Sequence, residues 1–256
     1  MDFGKTAQDY DKYREGFPDA FFQRLLDEGA VAAGQRVLDL GTGTGNVARG
    51  LTARGCRVTG LDPSPKLLNV AASHNGRQAP GVDYVQGVSE QTGLRASRFD
   101  AVIAGQCWHW FDRPKAALEI RRLLKPGGMI IIGHFDWLPL PGNVVDATEQ
   151  LILNHNRHWS MSGGRGVYPQ WLTDVAMAGF AGIESATFDV VVPYGHEAWR
   201  GRIRASNGVG VMLSQKKVAA FDEAHRHMLA ERFPKEPLDV PHRVFIVTAR
   251  SPGPVL

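Results

Sequence analysis

Between Gln35 and Phe135 the chain repeats one unit: a short run of Val, Ile and Leu, a turn, then a stretch with helical spacing. The runs are RVLDL, CRVTGLD, VDYVQG, FDAVIAGQ and GMIIIGHF. Apolar runs without polar alternation are strands covered on both faces, as happens when helices flank a parallel sheet. The intervening NVARGLTARG, PSPKLLNVAASH and DRPKAALEIRRLLKPGG are predicted to be those helices. The last has the fullest boundary signals. Asp112 is placed to cap it, Pro114 suits the first turn, and Arg121, Arg122 and Lys125 favour the negative end of its dipole. Pro126-Gly127-Gly128 is expected to stop it. This rhythm restricts the chain to the α/β class.

After Phe135 the rhythm breaks. A Pro-rich link leads to predicted helices in VDATEQLILNHNRHW and YPQWLTDVAMAGF, with the Gly-rich turn SGGRG between them. The strand SATFDVVVPY, the segment HEAWRGRIRAS, the helix SQKKVAAFDEAHRHMLAERF and a last strand HRVFIVTAR complete the chain. The expected architecture is a doubly wound, mostly parallel, seven-strand Rossmann-like sheet with a helical lid insertion. At 256 residues one domain, 1–256, accounts for everything, with 1–34 as an N-terminal helical cap and 136–175 as the lid.

Charge excludes some roles. The 29 basic and 26 acidic residues leave a formal net charge of +3, scattered along the chain, which speaks against a nucleic-acid partner. Cys56 and Cys107 lie in or beside apolar runs and are expected as buried free thiols of a reducing compartment. The N-terminus has no apolar core of a signal peptide, and no window approaches 18 apolar residues. A cytoplasmic protein without a membrane partner is the expectation.

The first strand runs directly into three glycines in VLDLGTGTG, Gly41, Gly43 and Gly45. In an open α/β sheet the first strand-to-helix turn faces the ligand site beyond the carboxyl ends of the strands. The sixth position of the dinucleotide fingerprint G-x-G-x-x-G is Asn46 instead of glycine, and no Walker A lysine follows. Asp62 ends the second strand 21 residues after Gly41, where a carboxylate can accept hydrogen bonds from both ribose hydroxyls of an adenosine. The bland alternative is a structural turn.

VLDLGTGTG, VTGLDPS, FDAVIAGQCWHWF and LLKPGG together resemble the class I S-adenosylmethionine-dependent methyltransferases, and among them the type 11 small-molecule group. The diagnostic motifs lie between Val37 and Gly128. The resemblance implies that Asp39 helps hold the amino acid end of S-adenosylmethionine. It also implies that Gly41, Gly43 and Gly45 pass against the cofactor, Asp62 takes the ribose and Pro63 lies near the adenine. Ser89 and Glu90 match the adenine loop, with Val88 where many relatives carry an aspartate. Gln106 is expected beside the sulfonium. Tyr10, Tyr13 and Arg14 match an N-terminal element that closes over the cofactor, and Arg14 suits the methionine carboxylate. S-adenosylhomocysteine would be the product.

Because the sulfonium makes its own methyl electrophilic, the protein has mainly to position an acceptor in a dry site. Trp108, Trp110, His134 and Trp137 are the candidates for the acceptor pocket, in a neighbourhood that also holds Trp159, Tyr168 and Trp171. His109 can take a proton as the methyl arrives, or it can simply shape the wall. Cys107 is expected as a small buried hydrophobe, not a nucleophile. The pairs His155/His158 and His225/His227 lack the spacing of a metal site. Arg200 and Arg204 share a helix face and either hold an acidic substrate group or clamp the protein's own acids, the second being the expectation.

The residues thus point to methyl transfer onto an oxygen or nitrogen, with carbon as a third choice, of a small aromatic or heterocyclic acceptor. Whether the protein is a monomer or a homodimer stays open. The alternatives are a regulatory protein that binds S-adenosylmethionine without turnover, and an NAD-dependent oxidoreductase. Asn46 and the lack of a Tyr-x-x-x-Lys pair weigh against the oxidoreductase.

Overall fold

The computed structural model describes residues 13, 16–75 and 81–253. Helix α1 (Asp19–Asp27) leads into the alternating region: β1 (Arg36–Leu40), α2 (Asn46–Thr52), β2 (Arg57–Asp62), α3 (Pro65–Ser73), β3 (Asp83–Gln86) and β4 (Phe99–Gly105). A 3-10 turn (Trp108–Trp110), α4 (Arg113–Leu123) and β5 (Leu124–Trp137) follow. The remainder is α5 (Val144–His155), α6 (Gln170–Met177), β6 (Ala181–Tyr194), α7 (His196–Arg204), α8 (Gln215–Arg232) and β7 (Leu238–Arg250).

The seven strands form one sheet in the order β3-β2-β1-β4-β5-β7-β6. The pairings β1–β2, β1–β4, β2–β3 and β4–β5 are parallel. β7 runs the other way against β5, because Ser251 exchanges backbone hydrogen bonds with Gly127 and Gly128 while Leu138 donates to Pro241. The order reverses beside β1, and such switch points put ligands at the carboxyl ends of β1 and β4.

Two compact units make up the chain. The first comprises Gly16–Phe135, Tyr168–Thr187 and Val244–Leu256; the second comprises Met1–Glu15, Asp136–Val167 and Phe188–Arg243. In the first, Leu38, Val102, Ala104, Ile130 and Ile132 from the central strands pack with Ile120 and Leu123 of α4 and with Trp108 and Trp171. In the second, Trp137, Ile152, Trp159, Trp199, Phe221 and Leu229 form a separate core. The segment expected as a lid, 136–175, is divided between them. Residues 168–175 go with the first unit because Tyr168 and Trp171 stack on each other and pack on Phe245.

Two local expectations differ from what forms. Asp112 stands at the N-cap of α4, but its carboxylate pairs with Lys115 at 2.7 Å and caps no backbone group. Helix α4 also ends at Leu123, before Pro126-Gly127-Gly128. Leu123 and Leu124 are both buried in the core, and the backbone of Arg98 already bonds to Leu123 as β5 begins.

Candidate functional site

From Leu40 the chain turns through Gly41–Gly45 into α2, with φ of +72° at Gly41, +57° at Gly43 and +79° at Gly45. Side chains rarely tolerate that region, so the turn favours glycine at all three positions. Packing separates their roles. A Cβ on Gly41 would stand 2.8 Å from Cys107 Sγ, and one on Gly45 would stand 2.2 Å from the Tyr84 hydroxyl. A Cβ on Gly43 would meet nothing within 4 Å. The outer glycines therefore answer to the protein's own packing, while Gly43 faces open space where a ligand can approach the backbone.

Two buried carboxylates hold this loop. Asp39 Oδ2 accepts from Thr42 Oγ1 at 2.6 Å and from the Ala48 backbone N–H at 3.0 Å, tying β1, the turn and α2 together. Burial pushes its carboxyl up to about 7 against those hydrogen bonds. Asp62, at the end of β2, accepts the Gly43 N–H on Oδ2 and the Ser64 N–H on Oδ1, each at 2.9 Å. Burial raises its pKa too. A carboxylate offers about four lone-pair sites, so each Asp62 oxygen keeps capacity for a further donor such as a ribose hydroxyl. Pro63 follows it on the surface.

The loop after β3 is built differently. Ser89 is buried, Val88 is 48% exposed, and Glu90 Oε1 accepts the Asp112 N–H at 2.9 Å, bracing the start of α4. Sequence inspection missed the anchor of this loop, Glu119. Its Oε1 accepts from the Thr92 N–H at 2.9 Å and the Thr92 hydroxyl at 2.5 Å, and Arg122 grips both carboxylate oxygens at 2.7 Å. The Arg122 hydrogen bonds hold Glu119 down to about 2. No local pattern links residues 27 apart, so nothing in the sequence flags the pair.

β4 ends in a second special turn. Gln106 has φ of +64°, although it is not glycine. Its backbone N–H bonds Gly133 at 2.9 Å, its Oε1 accepts the Phe135 N–H at 2.8 Å, and its Nε2 donates to the Phe135 carbonyl. The side chain expected beside a sulfonium is thus committed to β5 and extends the sheet by one pseudo-backbone rung. Cys107 donates to the Leu40 carbonyl at 3.0 Å, as befits a buried thiol.

The 3-10 turn sends its aromatics in opposite directions, and this corrects one expectation. Trp108 is 0% exposed, and its indole N–H bonds Asp174 Oδ2 at 3.0 Å. It is core, not acceptor wall. Trp110, two residues later, is 41% exposed. His109 lies between, its ring 4.5 Å from that of Trp110 and 5.3 Å edge-on from that of His134. His134 is buried and continues the line toward Tyr168 at 4.6 Å and Trp171 at 5.4 Å.

Trp137 requires a second correction. It lies in the core of the second unit, its indole N–H bonded to Glu149 at 2.7 Å, edge-on to Trp199 and beneath the Arg202 guanidinium. In that unit Tyr13 packs where a side chain on Gly201 would stand. Tyr10 and Arg14 lie outside the described residues. Arg200 and Arg204 converge on Asp222 and Glu197, a clamp on the protein's own acids. Among the described residues no cluster of His, Cys, Asp and Glu is arranged to hold a metal, and no helix is long and apolar enough to cross a membrane.

Residues 38–132, from β1 through most of β5, match the methyltransferase domain family model. Over these residues the chain is similar to the class I S-adenosylmethionine-dependent methyltransferases. An uncharacterized methyltransferase of Mycobacterium tuberculosis is 35% identical over 130 residues, 51% of this chain and 50% of that protein. The chain thus spans about half the length of the mycobacterial relatives it matches. A ubiquinone biosynthesis O-methyltransferase of Xanthomonas oryzae is 28% identical over 177 residues, 68% of this chain and 72% of the other. Among solved structures, a proposed type II methyltransferase of Anaeromyxobacter dehalogenans superposes with a TM-score of 0.67. It is 25% identical and covers 94% of this chain and 99% of its own. Phosphoethanolamine N-methyltransferase 2 of Haemonchus contortus, solved with S-adenosyl-L-methionine, gives 0.59 at 20% identity over 98% of this chain and 56% of its own, a likeness of fold.

The methyltransferase fold accounts for the division among the glycines. The residues fit an adenosyl cofactor: open space at Gly43, spare acceptor capacity on Asp62 and the surface position of Pro63 lie at the switch point.

Proposed function

We propose that this chain transfers a methyl group from S-adenosylmethionine to an oxygen or nitrogen of a small, flat acceptor. The observation that carries this reading is the corner made by Gly43 and Asp62 at the carboxyl ends of β1 and β2. There the Asp62 carboxylate holds the glycine loop and keeps capacity for two hydroxyls, while Gly43 leaves the backbone bare.

The cofactor, when bound, supplies a methyl group on a positively charged sulfur. The chain's own tasks are binding, orientation and exclusion of water. Asp62 accepts from the ribose, the buried Asp39 braces the loop at the amino acid end, and Pro63, Ser89 and the exposed Val88 surround the base. With valine at position 88, base recognition rests on shape and on groups near Ser89. Gln106 acts as a positioning residue: its clamp on Phe135 fixes the turn that carries His109 and Trp110.

The acceptor stacks against Trp110 in this account, and His109 takes the proton of a hydroxyl or ring N–H as the methyl arrives. The ubiquinone O-methyltransferase relative, similar over two thirds of its length, favours oxygen as the acceptor atom. The test is turnover: S-adenosylhomocysteine release over a panel of catechols, phenols and azaheterocycles. A phenolic acceptor that turns over with the wild type and loses rate in Trp110→Ala and His109→Gln supports the reading. Cofactor binding without product from any acceptor would favour a binding protein.

A further inference from the structure

The amino ends of the first strands, where β1 to β4 begin, carry an open groove of about 440 Å³. It is lined by Arg36, Arg57, Thr59, Asp83, Arg98 and Phe99, among others. β2 runs from this groove at Arg57 to the cofactor corner at Asp62, roughly 16 Å of strand at about 3.3 Å per residue.

Basic side chains outnumber acids along the groove, three arginines to one aspartate. Arg36 and Arg57 are register partners at the first positions of β1 and β2, so their side chains leave the same face of the sheet one strand spacing apart. Like charges set side by side in this way repel. The nearby Asp100 carboxylate attracts Arg36 but is shared: its Oδ2 accepts the Arg36 backbone N–H at 2.8 Å and its Oδ1 accepts from Lys125 Nζ at 2.5 Å. Arg98, just before β4, adds a third guanidinium, 5.5 Å from the Phe99 ring. Several arginines have acids in contact, such as Arg24 with Glu28 and Arg122 with Glu119, while Arg49 and Arg121 bond backbone carbonyls instead. Among the described residues, Arg36, Arg57 and Arg98 make no such side-chain ion pair, and Asp83 is the single acid lining the groove.

We propose that this groove is a second ligand site, separate from the cofactor corner, and that it takes a small phosphorylated molecule. Planar guanidiniums bind phosphate oxygens two at a time, and a doubly charged group satisfies adjacent arginines where a single carboxylate satisfies one. The volume suits a phosphate with a small body attached. Thr59, a buried lining residue, adds a hydroxyl. Occupation relieves the Arg36–Arg57 repulsion, so the ligand stabilises the first unit through β1 and β2.

The test uses inorganic pyrophosphate and inorganic phosphate as probes, titrated by calorimetry into the full chain at low ionic strength. Wild type is compared with Arg57→Gln/Arg98→Gln. Pyrophosphate is expected to bind, phosphate more weakly, and the double variant to lose about tenfold or more for each charged hydrogen bond removed. S-adenosylhomocysteine binding stays unchanged if the groove is separate. Without probe, the variant melts at or above the wild-type Tm, because the repulsion is gone; pyrophosphate raises the Tm of the wild type only. Equal pyrophosphate binding by both proteins, no binding by either, a variant Tm several degrees lower without probe, or loss of S-adenosylhomocysteine binding would each overturn the proposal. Failure of the methyltransferase reading would leave these arms readable, since none of them measures turnover.

Discussion

The turns after β1 and after β4 both bring backbone with positive φ to the carboxyl edge of the sheet, but they are built by opposite means. The first uses glycine three times and is held from outside by Asp39 and Asp62. The second puts an ordinary residue, Gln106, at +64° and holds it from within, by that residue's own amide on Phe135. Bare backbone suits close approach of a ligand to the loop itself. A self-clamped turn suits the rigid presentation of side chains, here His109 and Trp110. The cofactor corner is therefore a backbone site and the acceptor edge a side-chain site.

Substitutions can break that contrast, and the largest effect belongs to the inward half of the second turn. Trp108→Ala removes a fully buried indole and is expected to cost about 3–5 kcal/mol, read by denaturant unfolding. Trp110→Ala, on the exposed half, should cost under about 1 kcal/mol while raising KM for the acceptor. Equal destabilisation by the two would erase the distinction between core and wall.

Within the first turn the glycines should separate. Gly45→Ala combines positive φ with a clash at the Tyr84 hydroxyl and is expected to cost about 1–3 kcal/mol. Gly43→Ala meets no atom, so it should cost about 1 kcal/mol of backbone strain and yet weaken S-adenosylhomocysteine binding more than Gly45→Ala does. Gln106→Leu deletes the clamp, with an expected loss of about 1–2 kcal/mol and a lower kcat at unchanged cofactor affinity. Unchanged kcat would mean that the clamp serves the sheet alone.

A separate test lies in the pH dependence. Asp39 is raised to about 7 by burial from an ordinary 3.8, so the folded chain keeps a proton that the unfolded chain gives up. Its contribution therefore falls as pH rises from about 4 to about 7 and is flat above. Glu119 is held at about 2 by Arg122, below an ordinary 4.5. Its contribution is present above the ordinary value and is lost as pH falls toward about 2. Unfolding across pH should show Asp39→Asn flattening the first limb and Glu119→Gln the second.

What could be read from the sequence follows the same contrast. RVLDL, Gly41–Gly45 and Asp62 lie in fixed short-range relation, and strand, turn and spacing together announce the loop; the seven-strand, mostly parallel sheet follows from the strand-helix rhythm, while its strand order does not. The WHW segment gives no such help. Three residues of 3-10 turn reverse the facing of successive side chains, so Trp108 goes to Asp174, which lies 66 residues away in sequence. The Thr92–Glu119 anchor and the Trp137–Glu149 bond likewise depend on tertiary approach that no local pattern encodes. The grouping of residues 168–175 with the first unit has the same origin: Tyr168 and Trp171 pack on Phe245 and His134.

The central claim is that Gly43 and Asp62 form the cofactor corner, and calorimetric titration of S-adenosylhomocysteine into wild type and Asp62→Ala tests it most directly, with NAD as the parallel ligand. The account predicts micromolar binding of S-adenosylhomocysteine, none of NAD, and a loss of about tenfold or more in the variant, with its circular dichroism unchanged. Wild-type affinity in a folded Asp62→Ala, or heat from NAD in place of S-adenosylhomocysteine, would contradict it.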